Sequence, residues 1–94
     1  PNVPSSPFPA NGAKDTNFEV TLSWEGGDPD GDPVLYDLYL STAHNPTLFI
    51  SNRTTNSYTK SGLSPNTTYY WKIVARNEGS SGVAGPIWSF TTKK

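Results

Sequence analysis

The chain has 94 residues, a formal net charge of −1 and no Cys. That length makes one domain near the lower end of what folds unaided; without Cys there is no disulfide framework, thiolate metal site or cysteine nucleophile, so three Trp, five Tyr and four Phe must supply the core. Near-neutral charge excludes the basic stripe of a nucleic-acid partner, and no apolar run approaches the roughly 20 residues of a membrane insertion.

The chain opens Pro1-Asn2 with neither an initiator Met nor a signal-like start, and reads as a segment of a longer protein. Residues 1–12 hold four prolines, each without a backbone donor, and read as a Pro-rich linker passing into an edge strand. Phe8 is expected to tuck under the end of the fold, with Asn11-Gly12 as a turn. The remaining residues, 13–94, complete the domain.

Phe18 to Trp24 alternates, placing Phe18, Val20, Leu22 and Trp24 on one face of a strand. A turn-rich loop follows from Glu25 to Pro33. Val34 to Ser41 is the next strand, inward at Val34, Tyr36, Leu38 and Leu40, with Leu35, Asp37 and Tyr39 on its other face. After a turn at Ala43-His44-Asn45-Pro46, Leu48 to Ser51 and Asn56 to Thr59 read as short strands. The longest strand starts at Tyr69: Tyr69, Trp71, Ile73 and Ala75 share one face, and Tyr70, Lys72, Val74 and Arg76 the other. A hairpin loop is expected over Glu78 to Gly82, and Gly85 to Thr92 closes the chain with Trp88 and Phe90 inward. Seven short strands without helical periodicity predict an all-β antiparallel sandwich.

Trp24, Tyr36 and above all Leu63-x-Pro65-x-Thr67-x-Tyr69-x-Trp71-x-Ile73-x-Ala75-x-Asn77 resemble the fibronectin type III domain, over about residues 3–92. The resemblance implies a seven-stranded immunoglobulin-like sandwich in which the Leu plugs the core, the Pro and Thr shape a crossover, and the Tyr hydroxyl bonds back to the preceding loop. Independently of any family, a Tyr at a sheet-to-sheet corner can bury its ring while satisfying a backbone group. Asp28 to Pro33, Thr68 to Ile73 and Gly85 to Thr92 look like the bacterial and archaeal branch. That likeness implies a monomeric, extracellular or cell-surface accessory module, attached to neighbouring domains of the same chain such as carbohydrate-active enzymes or proteases. The expected role is a non-catalytic spacer or interaction module, with protein or polysaccharide as further partner classes.

Two surfaces remain as candidate sites. Seven of the eight acids lie between Asp15 and Asp37, while no Lys or Arg occurs between Lys14 and Arg53. Within that acidic region Asp28, Asp30 and Asp32 resemble the first ligands of a calcium loop, but Pro33 and Tyr39 stand where an EF-hand has Gly and a bidentate Glu. A tight solvated turn with no cofactor is the favoured reading, and a calcium-stiffened interdomain joint the less favoured one. Tyr39 and Tyr70, outward on neighbouring strands with Leu35 and Val74, are candidates for stacking sugars in a weak carbohydrate-binding module; the competing reading is ordinary cross-strand packing. The single His44 has no Ser and Asp partners in sight, and the acids share one loop instead of facing across a cleft, so no enzyme chemistry is predicted. Sequons at Asn52 and Asn66 read as accidental, and Pro46 excludes the one at Asn45.

Overall fold

The computed structural model describes residues 1–77 and 82–94, so most of the loop expected over Glu78 to Gly82 lies outside the described residues. Nine strands are present: β1 (Ser5–Phe8), β2 (Ala13–Thr16), β3 (Val20–Glu25), β4 (Leu35–Ser41), β5 (Leu48–Arg53), β6 (Ser57–Lys60), β7 (Thr68–Arg76), β8 (Val83–Ala84) and β9 (Trp88–Thr92). They form a small sheet ordered β1-β3-β6 and a larger one ordered β2-β9-β7-β4-β5, with β8 beside β7. All pairings are antiparallel except β2 with β9. The all-β sandwich is therefore as expected. Its strand count rises from seven to nine because the proline-rich edge splits between the sheets and β8 adds a two-residue strip.

The split has a local cause. Asn11 Oδ1 accepts the Ser89 N–H at 3.0 Å, and the Gly12 N–H donates to the Ser89 carbonyl at 2.8 Å, handing the chain from the small sheet to β9. Phe8 does not tuck into the sandwich as expected; its side chain is 66% exposed. It stands opposite Ser23, an outward position of β3, and directly opposed residues share a face. Pro4 and Pro9 are the buried residues of this stretch. Phe18 also departs from expectation, because β3 begins only at Val20: Phe18 is 36% exposed, its carbonyl accepts the Leu63 N–H at 3.1 Å, and Lys93 Nζ lies 5.4 Å from its ring.

The alternating faces otherwise meet as their periodicity predicts. Val20, Leu22 and Trp24 from β3, Tyr36, Leu38 and Leu40 from β4, Leu63 from the crossover before β7, Trp71, Ile73 and Ala75 from β7, and Trp88 and Phe90 from β9 form one buried cluster. Val34, which precedes β4, packs half-buried against this cluster, as do Ile50 of β5 and Tyr58 of β6. Trp71 is the centre, fully buried, with the ring of Trp24 edge-on at 6.3 Å across the sandwich and that of Trp88 at 4.8 Å within its own sheet.

The crossover from β6 to β7 is pinned by polar groups. The Ser64 N–H donates to Tyr69 Oη at 2.8 Å, and the Tyr69 ring stacks on Phe90 at 5.5 Å, the arrangement that the Leu63 to Tyr69 motif implies. A second tie was not visible in sequence. Thr92, only 2% exposed, donates its hydroxyl to the Ser64 carbonyl at 2.6 Å and accepts the Thr67 N–H at 3.0 Å, while its own N–H reaches the Thr67 carbonyl at 3.0 Å. Tyr69 is half-buried, so water can replace its hydroxyl; Thr92 has no such recourse. Urea denaturation should show Tyr69→Phe costing about 1 kcal/mol and Thr92→Val about 1–3 kcal/mol, since an unsatisfied buried group carries its full desolvation penalty. A larger loss in Tyr69→Phe than in Thr92→Val would place the main tie at the tyrosine.

Candidate functional site

The acidic loop between β3 and β4 brings its three aspartates together. One carboxylate oxygen each from Asp28, Asp30 and Asp32 lies within 4.8 Å of the others, Asp28 half-buried and the other two exposed. Glu25 does not join them, and accepts the Ser6 hydroxyl at 3.2 Å instead. The loop is also held by its own donors. Asp28 Oδ1 accepts the Asp30 N–H at 2.8 Å, the Gly31 N–H donates to the Asp28 carbonyl at 3.0 Å, and Asp28 Oδ2 lies 3.1 Å from the Pro1 amino group. The Asp30 N–H, followed by the amino group, holds the Asp28 carboxyl below its ordinary value. Such a turn needs Asp for its side-chain acceptor and Gly31 for its positive φ of 77°. Calcium takes six to eight oxygen ligands, of which these carboxylates supply part.

On the outer face of the larger sheet, strand register sets the neighbours: Leu35 opposes Arg76, Asp37 opposes Val74, Tyr39 opposes Lys72 and Ser41 opposes Tyr70. Tyr39 and Tyr70 are thus diagonal neighbours, both half-buried, and both ring faces have partners. Lys72 Nζ sits 4.8 Å from the Tyr39 ring centre, and the His44 ring lies 4.7 Å from Tyr70. Val74 is also diagonal to Tyr39, but between Leu35 and Val74 runs an ion pair that sequence reasoning missed. Arg76 Nε donates to Asp37 Oδ2 at 3.0 Å, a second guanidinium nitrogen reaches Asp37 Oδ1 at 3.3 Å and also Asn52 Oδ1, and the Asn52 N–H donates to Asp37 Oδ1 at 3.1 Å. Its signal was available, because Asp37 and Arg76 are outward residues of adjacent strands. Partial burial raises the Asp37 carboxyl, but the Arg76 hydrogen bond, the Asn52 N–H and the Arg76 charge outweigh it and leave the group below its ordinary value; the same contact raises Arg76.

The family profile of the fibronectin type III domain matches residues 5–90, nearly the whole sandwich including the pinned crossover. The chain belongs to the fibronectin type III family. Ephrin type-A receptor 3 of Danio rerio is 36% identical over 66 residues, which are 67% of this chain and 7% of the receptor, so the chain spans a small fraction of that curated relative. Among solved structures, an Fn3-like protein from Clostridium thermocellum superposes with a TM-score of 0.73 at 22% identity, covering 100% of this chain and 95% of that one. A beta-1,2-glucanase from Parabacteroides distasonis gives 0.70 at 20% identity, covering 99% of this chain and 13% of the enzyme chain. Fibronectin type III domains are typically modules of multidomain proteins and are generally non-catalytic.

Within this fibronectin type III domain the other candidates have structural employment. His44 is exposed and its ring lies tilted by 42° against that of Tyr70. Asn52 and Asn66 have positive φ angles of 59° and 50°, a conformation Asn tolerates better than most residues, and the Asn66 N–H donates to the Lys93 carbonyl at 2.8 Å. Among the described residues no helix is present, and so none long and apolar enough to cross a membrane.

Two outcomes follow from these contacts. Because the folded Asp37 carboxyl titrates below its unfolded value of about 3.9, its contribution is complete above that value and is lost as pH falls through the folded one. Thermal melts of wild type and Asp37→Asn should therefore differ at neutral pH and converge on acidification; a gap unchanged at low pH would assign the effect to packing. With Asp28 Oδ1 already engaged by the Asp30 N–H and the three carboxylates supplying only part of a calcium shell, the melting temperature should not move in millimolar calcium, and a rise that grows with calcium concentration would establish a cation site.

Proposed function

We propose that this domain is a non-catalytic spacer and interaction module of a larger extracellular or cell-surface protein, positioning its neighbouring domains. The observation that carries the reading is where the chain enters and leaves. Near one end the Asn2 N–H donates to the Gly27 carbonyl of the acidic loop; near the other the Lys93 N–H donates to the Thr16 carbonyl, and β3, β4 and β7 run between. The body measures 43 × 20 × 19 Å, so segments joined at its two ends are held apart along the long axis. The cross-sheet Trp packing supports rigidity in that role. A similar fold occupying 13% of a glucanase chain and a related stretch making up 7% of a receptor support the accessory setting, with attachment to a carbohydrate-active enzyme as one form of it.

Carbohydrate binding through Tyr39 and Tyr70 is the rival. Stacking a sugar there would require Lys72 and His44 to give up their ring contacts, which favours the spacer. Affinity electrophoresis on soluble and insoluble polysaccharides should show no retardation. Retardation abolished by Tyr39→Ala or Tyr70→Ala would replace the spacer reading with a binding one.

A further inference from the structure

The split of the first strand leaves a slot in the small sheet. β1 ends at Phe8, opposite Ser23, and β2 resumes at Ala13 on the other sheet opposite Phe90, so Val20 to Leu22 have no strand partner on that side of β3 among the described residues. A groove of about 560 Å³ lies there, lined by Phe8, Pro9, Ala13, Asp15, Glu19 and Thr21 among others. Its backbone polarity follows from register. The Trp24 N–H donates to the Asn56 carbonyl on the β6 side, and backbone groups alternate along a strand, so the N–H and C=O of Thr21 point the opposite way, into the groove. At the lip stands the exposed Phe8 ring. Asp15 and Glu19, both exposed, make no ion pair among the described residues, and no Lys or Arg lines the groove.

We propose that this groove takes one extended peptide segment of a partner protein, with an apolar residue flanked by Lys or Arg, added as a short strand beside β3. An open strand edge recognises extended chains through main-chain hydrogen bonds, and alternate side chains provide selectivity. Here Thr21 provides the main-chain pairing, Phe8 and Ala13 the apolar contact, and the carboxylates of Asp15 and Glu19 the preference for cationic flanks. The opposite edge of the sandwich has the reverse character. Leu48 and Phe49 of β5 are exposed there, but Arg53 and Lys60 lie over the rings of Tyr58 and Phe49 at 5.2 and 5.7 Å, and no acid occurs from Leu38 to Asn77. That edge would draw acidic segments, which makes it an internal control. The inference does not depend on the spacer reading, since a spacer requires no such partner.

The test is an NMR titration of the ¹⁵N-labelled domain with the capped pentapeptide Lys-Thr-Ile-Thr-Lys, which places both Lys and the Ile on one face, and with Glu-Thr-Ile-Thr-Glu. The Lys peptide should shift the amides of Phe8, Asp15, Glu19 and Thr21, and the Glu peptide should leave them in place. The Asp15→Asn/Glu19→Gln double variant should weaken binding about fivefold at low salt, as two exposed charge contacts allow. Phe8→Ala should weaken it too while the rest of the spectrum stays unchanged, because that ring packs into no core. No shift at Thr21 with millimolar Lys peptide, equal binding of the two peptides, or shifts confined to Leu48 to Arg53 would each overturn the proposal.

Discussion

The sandwich depends on Trp71 being buried from both directions. Its ring lies on the inner face of β7, the central strand of the larger sheet, with Trp24 reaching it across the layer gap and Trp88 packing beside it. A chain of 94 residues without a disulfide has little other means of holding two sheets together, and removing such a ring would cost roughly 3–5 kcal/mol, a large share of a small domain's stability. Tyr36 extends the cluster toward the acidic end, with its ring edge-on to Trp24 at 5.5 Å and its hydroxyl accepting the Gly27 N–H at 2.9 Å. Gly26 fits beneath it because a Cβ there would stand 2.5 Å from that hydroxyl. The loop that carries Asp28, Asp30 and Asp32 is thus attached directly to the core.

Charge is distributed over this frame unevenly. The acids of residues 15–37 fall on the first strands and the loop after β3, while Arg53, Lys60, Lys72 and Arg76 fall on the strands behind them. Where the two groups meet, at Asp37 and Arg76, they pair; elsewhere the cations lie over aromatic rings. That arrangement uses up the surfaces that aromatic residues alone would suggest as ligand platforms. The slot beside β3 stays open, where a backbone edge, an exposed ring and two carboxylates without an ion pair among the described residues coincide.

The alternation at Val20 to Trp24, Tyr36 to Leu40 and Trp71 to Ala75 was legible because burial of one face imposes a period of two on any strand. The crossover motif was legible because each of its residues answers a local need: a plug, a fixed φ, a hydroxyl for an orphaned N–H. Phe8 and Phe18 were misread for separate reasons: Phe8 ends the irregular β1 and its facing is set by opposing the outward Ser23, while Phe18 precedes β3, where strand alternation does not yet say which way a side chain points. Thr92 was invisible because its burial comes from residues some 25 positions earlier in the chain.

By itself, then, the sequence determined the fold class, the core residues of the long strands, the family and the acidic loop, since all of these follow from local periodicity and short-range turn chemistry. Tertiary structure alone decided that the first strand divides between sheets, that Tyr39 and Tyr70 already have ring partners, that Asn52 joins the Asp37–Arg76 pair, and that a groove opens beside Thr21. Those features depend on register between distant strands, and a shift of one residue in a pairing turns the slipped strand's side chains to the other face.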